Sequence, residues 1–207
     1  MPAQPTKQAY EVLQCNLNRH ARAQDLLMHH VAEWGISVAA VAEPYFVSPQ
    51  SNWVGATDGL VAMVVPPLGN HPPLTKIESD PGYAAAEWGD IVLVAVYFSP
   101  NSPLFEFDQY LVRLGGVVGR AAPSPVIVPR DLNAKYRAWA SPVTNSKGEA
   151  LWKWIVQTGL EVLNQGTEFT CVRQQGGGVH SGHHVSYPYR RDANDGLASP
   201  GGHGDPL

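Results

Sequence analysis

Hydrophobic and polar positions alternate along this chain in short bursts, some with a period of two and some with the period of a helix. Residues 10–18, Tyr-Glu-Val-Leu-Gln-Cys-Asn-Leu-Asn, alternate over their second half and predict a strand that ends in two amides. Over residues 21–34, Leu26, Leu27, His30, Val31 and Trp34 recur at helical spacing, and Gly35 is placed to cap the helix C-terminus. A small-residue apolar strand is predicted over 36–42, stopping at Glu43. Residues 60–65 and 90–97 predict two more strands, the latter rich in Val. Between them Pro66, Pro67, Gly69, Pro72 and Pro73 mark a loop or a sheet edge. Residues 105–118 place Phe107, Tyr110, Leu111, Leu114 and Val118 on one helical face, although Gly115 and Gly116 weaken its end. Val126-Ile127-Val128 reads as a short buried strand. Ser146-Lys147-Gly148-Glu149 has the capping-box pattern of a third helix, whose inner stripe holds Leu151 and Ile155 and which Gly159 stops. Residues 160–163 and 168–173 are the last predicted strands.

Strands and helices that interleave in this way predict a layered α/β architecture. After Gly176 the pattern ends: the segment is dense in Gly, Pro, Asp, Asn and Arg and has no usable apolar period, which predicts disorder. With 207 residues, 44% hydrophobic and 15% charged, the chain suffices for one sizeable core and one domain. A net charge of −4 and a pI near 6.0 exclude a general cationic field, so nucleic-acid contacts must come from locally placed Arg and Lys. Cys15 and Cys171 fit neither a zinc pattern nor a disulfide scaffold, and a reduced, intracellular compartment is expected. Residues 1–8 have no apolar signal region and no stretch reaches membrane length, so neither secretion nor membrane insertion is expected.

The chemistry-bearing residues collect at strand ends. Asn16, Asn18, Glu43, Tyr97, Asp131 and Asn133 all lie at the C-terminal ends of predicted strands, where open α/β sheets hold their sites. Asp131 and Asn133, two residues apart after the 126–128 strand, can point to one side. A carboxylate beside a carboxamide supplies a hard-cation ligand or anionic acceptor next to a neutral donor, which suits a scissile phosphodiester. A turn in which both side chains bond their own backbone is the simpler reading of Asp-x-Asn by itself. Glu43 before Pro44 also fits a solvated loop acid, and Tyr97 also fits packing at a sheet edge. Asn18 is the better candidate to cap the helix that starts near Ala21, and Asn16 the better site residue. His29 and His30 fall on a predicted helix and His183 and His184 in the aberrant tail. Trp139 and Trp154 read as core aromatics, with Trp139 also placed to line a DNA groove.

Taken in order, Gln-x-Asn-x-Asn, Ala-Glu-Pro-Tyr, Val-Tyr-Phe-Ser-Pro and Val-Ile-Val-x-x-Asp-x-Asn-Ala resemble the endonuclease/exonuclease/phosphatase superfamily, and within it the apurinic-type endonuclease domain of R1-like non-LTR retrotransposons. Residues 141–151 and 170–176 are similar to the same subfamily. The resemblance spans residues 10–178 and implies a four-layer α/β/β/α sandwich, incomplete at its C-terminus, with 179–207 as a separate tail. It implies a metal-dependent DNA endonuclease that nicks target DNA for retrotransposition, with DNA and a reverse transcriptase domain of a longer parent as partners and an intracellular, nuclear setting. By the same resemblance, Glu43 is the carboxylate ligand of a Mg²⁺ or Mn²⁺ ion, with Asn18 and Asn16 beside it. Asp131 orients or deprotonates the attacking water, Asn133 bonds a phosphate oxygen, and Tyr97 contacts the phosphate. Hard cations and pentacoordinate phosphorus favour such oxygen ligands and neutral donors.

The sequence also departs from that family. Pro129 and Arg130 stand where small residues precede the Asp, so bulk there obstructs a phosphate or Arg130 binds it. The family's Ser-x-Val-Asp strand and Ser-Asp-His end are missing. Residues 179–190, written in permitted codons and read one nucleotide later, can give Ser-Thr-Val-Asp-Ile-Thr-Leu-Ala-Thr-Pro-Thr-Val, which resembles the missing strand and suggests a frameshift near Gly178. Activity is therefore expected to be weak or absent. A non-catalytic folded remnant or DNA-binding fragment, and a phosphatase of the same superfamily, are the alternative readings.

Overall fold

The computed structural model describes residues 9–163 together with three short strands at 171–172, 178–179 and 187–190. Elements follow in the order β1 (Ala9–Asn16), α1 (Ala21–Glu33), β2 (Val38–Ala42), β3 (Trp53–Gly55), β4 (Val61–Val64), β5 (Leu74–Asp80), β6 (Tyr83–Trp88), β7 (Ile91–Tyr97), α2 (Leu104–Ala121), β8 (Val126–Ile127), β9 (Arg130–Asp131), α3 (Ser146–Thr158), β10 (Cys171–Val172), β11 (Gly178–Val179) and β12 (Tyr187–Arg190). One sheet runs β12-β1-β2-β4-β3. The second runs β5-β6-β7-β8, with β9 also paired to β7, and β10 and β11 form a separate ladder.

Side-chain parity sorts the apolar residues into three cores and hence four layers. Along β7, Ile91, Leu93, Ala95 and Tyr97 join Val12, Val38, Ala40, Ala42, Val61 and Met63 in a core between the two sheets. Val92, Val94 and Val96 point the other way, onto Phe107, Tyr110, Leu111 and Leu114 of α2 and Leu151 and Ile155 of α3. Leu13, Ala39 and Val41 pack outward against Leu27 and Val31 of α1. With both faces covered, β2, β4 and β7 are buried throughout, and a continuous apolar run is what such strands require. The expected α/β/β/α sandwich is therefore present.

Several local expectations are corrected. The hairpin of β5 and β6 went unpredicted. Its outer strand is an edge with exposed Thr75, Lys76 and Ile77, and its inner strand is built on Ala84-Ala85-Ala86, which carries no strand propensity of its own. Gly115 and Gly116 do not end α2, which continues to Ala121 because Leu114 and Val117 are buried on either side of the pair. In α1 only Leu27 and Val31 are buried; Leu26 and Trp34 lie exposed, so the apolar stripe is narrower than its spacing suggests. Residues 160–163 form no strand. The cap of α3 is Asn145 and not Ser146: its Oδ1 accepts from Gly148 N at 2.8 Å. Asn18 does not cap α1, whose N-cap is His20 without a side-chain bond. Of the predicted 168–173 strand, Cys171–Val172 is seen as β10 and the remainder lies outside the described residues. In the tail, Tyr187–Arg190 pairs antiparallel with β1, and the rest beyond Val179 lies outside the described residues.

Candidate active site

Strand parity also decides which polar groups reach the space between the sheets. Val12 faces the inter-sheet core and Leu13 the outer one, so Gln14 and Asn16 face the second sheet. Tyr97 faces inward, and Asp131, its register partner across β7 and β9, leaves the same face. The two sheets meet through these side chains. Asn16 Nδ2 donates to Asp131 Oδ2 at 2.7 Å, and the Tyr97 hydroxyl donates to Glu43 Oε1. Ala42, immediately before Glu43, is the register partner of Asn16 in β2. Asn16, Asp131, Tyr97 and Glu43 are thus linked in a ring by two cross-sheet hydrogen bonds, the Tyr97–Asp131 ladder pairing and the pairing of Asn16 with Ala42 next to Glu43.

Burial sets the electrostatics of this ring. The Tyr97 phenol is held well above its ordinary pKa, first by desolvation, then by its hydrogen bond to Glu43 and by the Glu43 and Asp131 charges, with Arg19 opposing. It is a neutral donor at physiological pH. Asp131 is buried at 4% exposure, and Glu43 is half-buried at the mouth. The backbone around them is strained: Asn18, Arg19, Glu43 and Asn133 have φ of 47°, 56°, 47° and 51°. For Arg and Glu this region costs roughly 1–2 kcal/mol, so the surroundings must hold them there. Glu43 is held by its N–H on Leu60 O at 2.8 Å and by the Arg19 N–H on its carbonyl at 2.9 Å.

The other expected residues are placed as follows. Asn133 lies past the end of β9, and its Nδ2 donates to Phe98 O at 3.1 Å. Asn18 is exposed and enters through its backbone, whose N–H donates to Asn16 Oδ1 at 2.8 Å. The Arg130 guanidinium lies 4.4 Å over the Trp139 ring, and Trp139 is buried with its indole N–H on Ala134 O at 3.0 Å. Trp139 and Trp154 thus pack in the core against α2 and α3. Among the described residues no group of three or more His, Cys, Asp and Glu side chains is gathered for a metal ion. Burial pushes the Cys15 thiol up to about 12, so it is inert.

Three residues that position the site carried no assignment from the sequence. Gln14, 3% exposed, bonds Arg130 twice, through Nε2 to its carbonyl at 2.5 Å and through Oε1 from its N–H at 3.1 Å. The amide acts as a one-residue strand on the side of β9 away from β7. A polar residue at the inward parity of β1, flanked by Val12 and Asn16, was the available signal. Lys147 Nζ donates to Ser99 O at 3.1 Å and Pro100 O at 3.0 Å, tying α3 to the loop after Tyr97. Asn145 also accepts from Lys135 N at 3.1 Å, and so anchors the chain two residues beyond Asn133.

Two sheets packed face to face, a helical layer on each side, and a polar ring at the strand ends define an endonuclease/exonuclease/phosphatase-type domain. The fold superposes on the "Endonuclease domain of TRAS1, a telomere-specific non-LTR retrotransposon" with a TM-score of 0.67 and 25% identity, covering 84% of this chain and 82% of that one. An AP endonuclease from Archaeoglobus fulgidus shares the fold at a TM-score of 0.54 and 14% identity, covering 72% of this chain and 70% of that one. Residues 91–181 match the family described as endonuclease-reverse transcriptase. No curated protein matches the chain. The chain is accordingly similar, over residues 91–181 in sequence and over most of its length in fold, to an endonuclease domain of the retrotransposon type, and it shares the fold alone with the apurinic endonuclease.

Proposed function

We propose that this domain is a divalent-metal-dependent DNA endonuclease that hydrolyses a phosphodiester bond to nick target DNA for retrotransposition, as part of a parent protein that carries a reverse transcriptase and works in the nucleus. The observation that carries the reading is the cross-sheet ring of Asn16, Glu43, Tyr97 and Asp131, which gathers two carboxylates, an amide and a neutral phenol at one sheet edge. A donor set of carboxylate and amide oxygens, with no thiolate or imidazole, fits Mg²⁺ or Mn²⁺. Glu43 would hold the ion, with the Asn18 and Asn16 amide oxygens beside it, and the ion would supply charge neutralisation at the phosphate oxygens. Asp131, fixed by Asn16, orients the attacking water and accepts its proton. Tyr97, protonated at working pH, offers a hydroxyl to the phosphate. Asn133 has a second Nδ2 hydrogen for a phosphate oxygen.

A second reading, a non-catalytic remnant, is favoured by the absence of any Ser-Asp-His sequence in the chain. Groups of general acid–base type supply roughly a hundredfold to ten-thousandfold each, so without them activity is low. Out-of-frame translation of residues 179–207 accounts for the loss, and the gene's nucleotide sequence tests it. Nicking of supercoiled plasmid with Mg²⁺ distinguishes the two readings: slow nicking that Glu43→Ala abolishes supports the endonuclease. No nicking above background, or nicking that Glu43→Ala leaves unchanged, overturns it.

A further inference from the structure

We propose that Tyr45 and Phe46 form an aromatic platform on which a nucleobase of the bound strand stacks beside the cleaved phosphate. The inference rests on the endonuclease reading above and deepens it. Both side chains are large and exposed, at 63% and 57%, and they stand two and three residues beyond Glu43. Exposed aromatics on a loose loop would cost ordering entropy on binding, but this loop is clamped. The Gln24 side chain of α1 takes the Tyr45 N–H at 2.8 Å and the Phe46 N–H at 3.1 Å on Oε1, and its Nε2 donates to Phe46 O at 2.8 Å. Three hydrogen bonds from one side chain pre-organise the segment, and Pro44 anchors it by being buried.

A cation lies on the same rim. Arg19 is exposed, its backbone binds the Glu43 carbonyl, and its charge reaches Tyr97. In a chain of net charge −4, attraction to a phosphate backbone has to be local, and Arg19 supplies it where the aromatic pair begins. An apolar face with a π surface, a neighbouring cation and a phosphate-type site two residues away is the chemistry of nucleic-acid binding rather than of a protein contact. Stacking is tolerant of base identity, so the platform adds affinity and positions the strand without reading its sequence.

The test uses the full 207-residue chain and an oligonucleotide duplex carrying 2-aminopurine, with EDTA present so that nothing is cut. The Tyr45→Ala/Phe46→Ala double variant should weaken binding about tenfold or more and lose the fluorescence change on binding. Tyr45→Phe and Phe46→Tyr should bind within about twofold of wild type, because each keeps its π face. Gln24→Leu should weaken binding while its thermal midpoint is followed in parallel, and Arg19→Ala should lower the salt slope by about one. Unchanged affinity and fluorescence in the double variant would overturn the platform while leaving the endonuclease reading intact. Failure of the wild-type chain to bind DNA would overturn both. Loss of a concentration-dependent self-association in the double variant, with DNA binding unchanged, would assign the pair to a protein contact and overturn the platform as well.

Discussion

Replacing Gln14 probes the joint between the two sheets. In the folded chain its amide satisfies both the N–H and the C=O of Arg130, one residue before Asp131, on the side of β9 that β7 does not cover. Gln14→Leu keeps the volume and removes both bonds. Losing one such partly buried backbone hydrogen bond costs about 1–3 kcal/mol, so the pair costs roughly 2–6 kcal/mol, and added apolar burial returns about 1 kcal/mol of that. Against a typical total of about 5–15 kcal/mol the loss is large, and it should lower the thermal midpoint by roughly 2–20 °C. Gln14→Glu separates hydrogen bonding from packing. Protonated, the introduced carboxyl reproduces both bonds; ionised, it sets lone pairs against the Arg130 carbonyl. Its folded pKa therefore lies above the unfolded value of about 4.3, so stability relative to wild type is fullest below that pH and is lost as pH rises toward the folded pKa. Urea unfolding of the three proteins between about pH 4 and 8 checks this. A Gln14→Leu midpoint equal to wild type, or a Gln14→Glu deficit that does not grow with pH, would refute the bridging role.

Three further outcomes are expected. A Cβ at Gly148 would lie 1.8 Å from the Lys135 carbonyl oxygen, whereas one at Gly119 would meet nothing within 4 Å. Gly148→Ala should therefore cost about 1–3 kcal/mol in urea unfolding and Gly119→Ala should add up to about 1 kcal/mol; equal effects would refute the close packing of α3 on residue 135. With the Tyr97 pKa raised in the folded state, its contribution to stability is full below the ordinary value near 10 and falls as pH rises beyond it. Tyr97→Phe should accordingly remove one late-titrating phenol from the alkaline absorbance titration, and an unchanged profile would contradict the part-buried Tyr97–Glu43 bond. Mn²⁺ at about 100 times its Kd should stabilise the chain by about 2.7 kcal/mol in thermal unfolding, and Glu43→Ala or Asp131→Ala should abolish that gain. A shift preserved in both variants would remove these residues as ligands.

What this sequence determined by itself is tied to local periodicity and to order along the chain. The all-apolar runs of β2 and β7, the amphipathic stripe of α2 and the Gly159 stop of α3 were legible because period and punctuation are local properties. The candidate site residues were legible as polar groups at strand ends, and their order along the chain pointed to the family. What only the tertiary structure decided is who meets whom. The pairing of Asn16 with Asp131 spans 115 residues and that of Tyr97 with Glu43 spans 54, distances over which no local pattern carries information. The strand made of Ala84-Ala85-Ala86 exists because small side chains let β6 lie buried between β5 and β7, a demand of packing and not of propensity. Gln14 looked like one more polar residue in an alternating strand. It became a structural bridge only when the second sheet brought the N–H and C=O of Arg130 against it, because a peptide group taken out of water must find a partner wherever the fold places one.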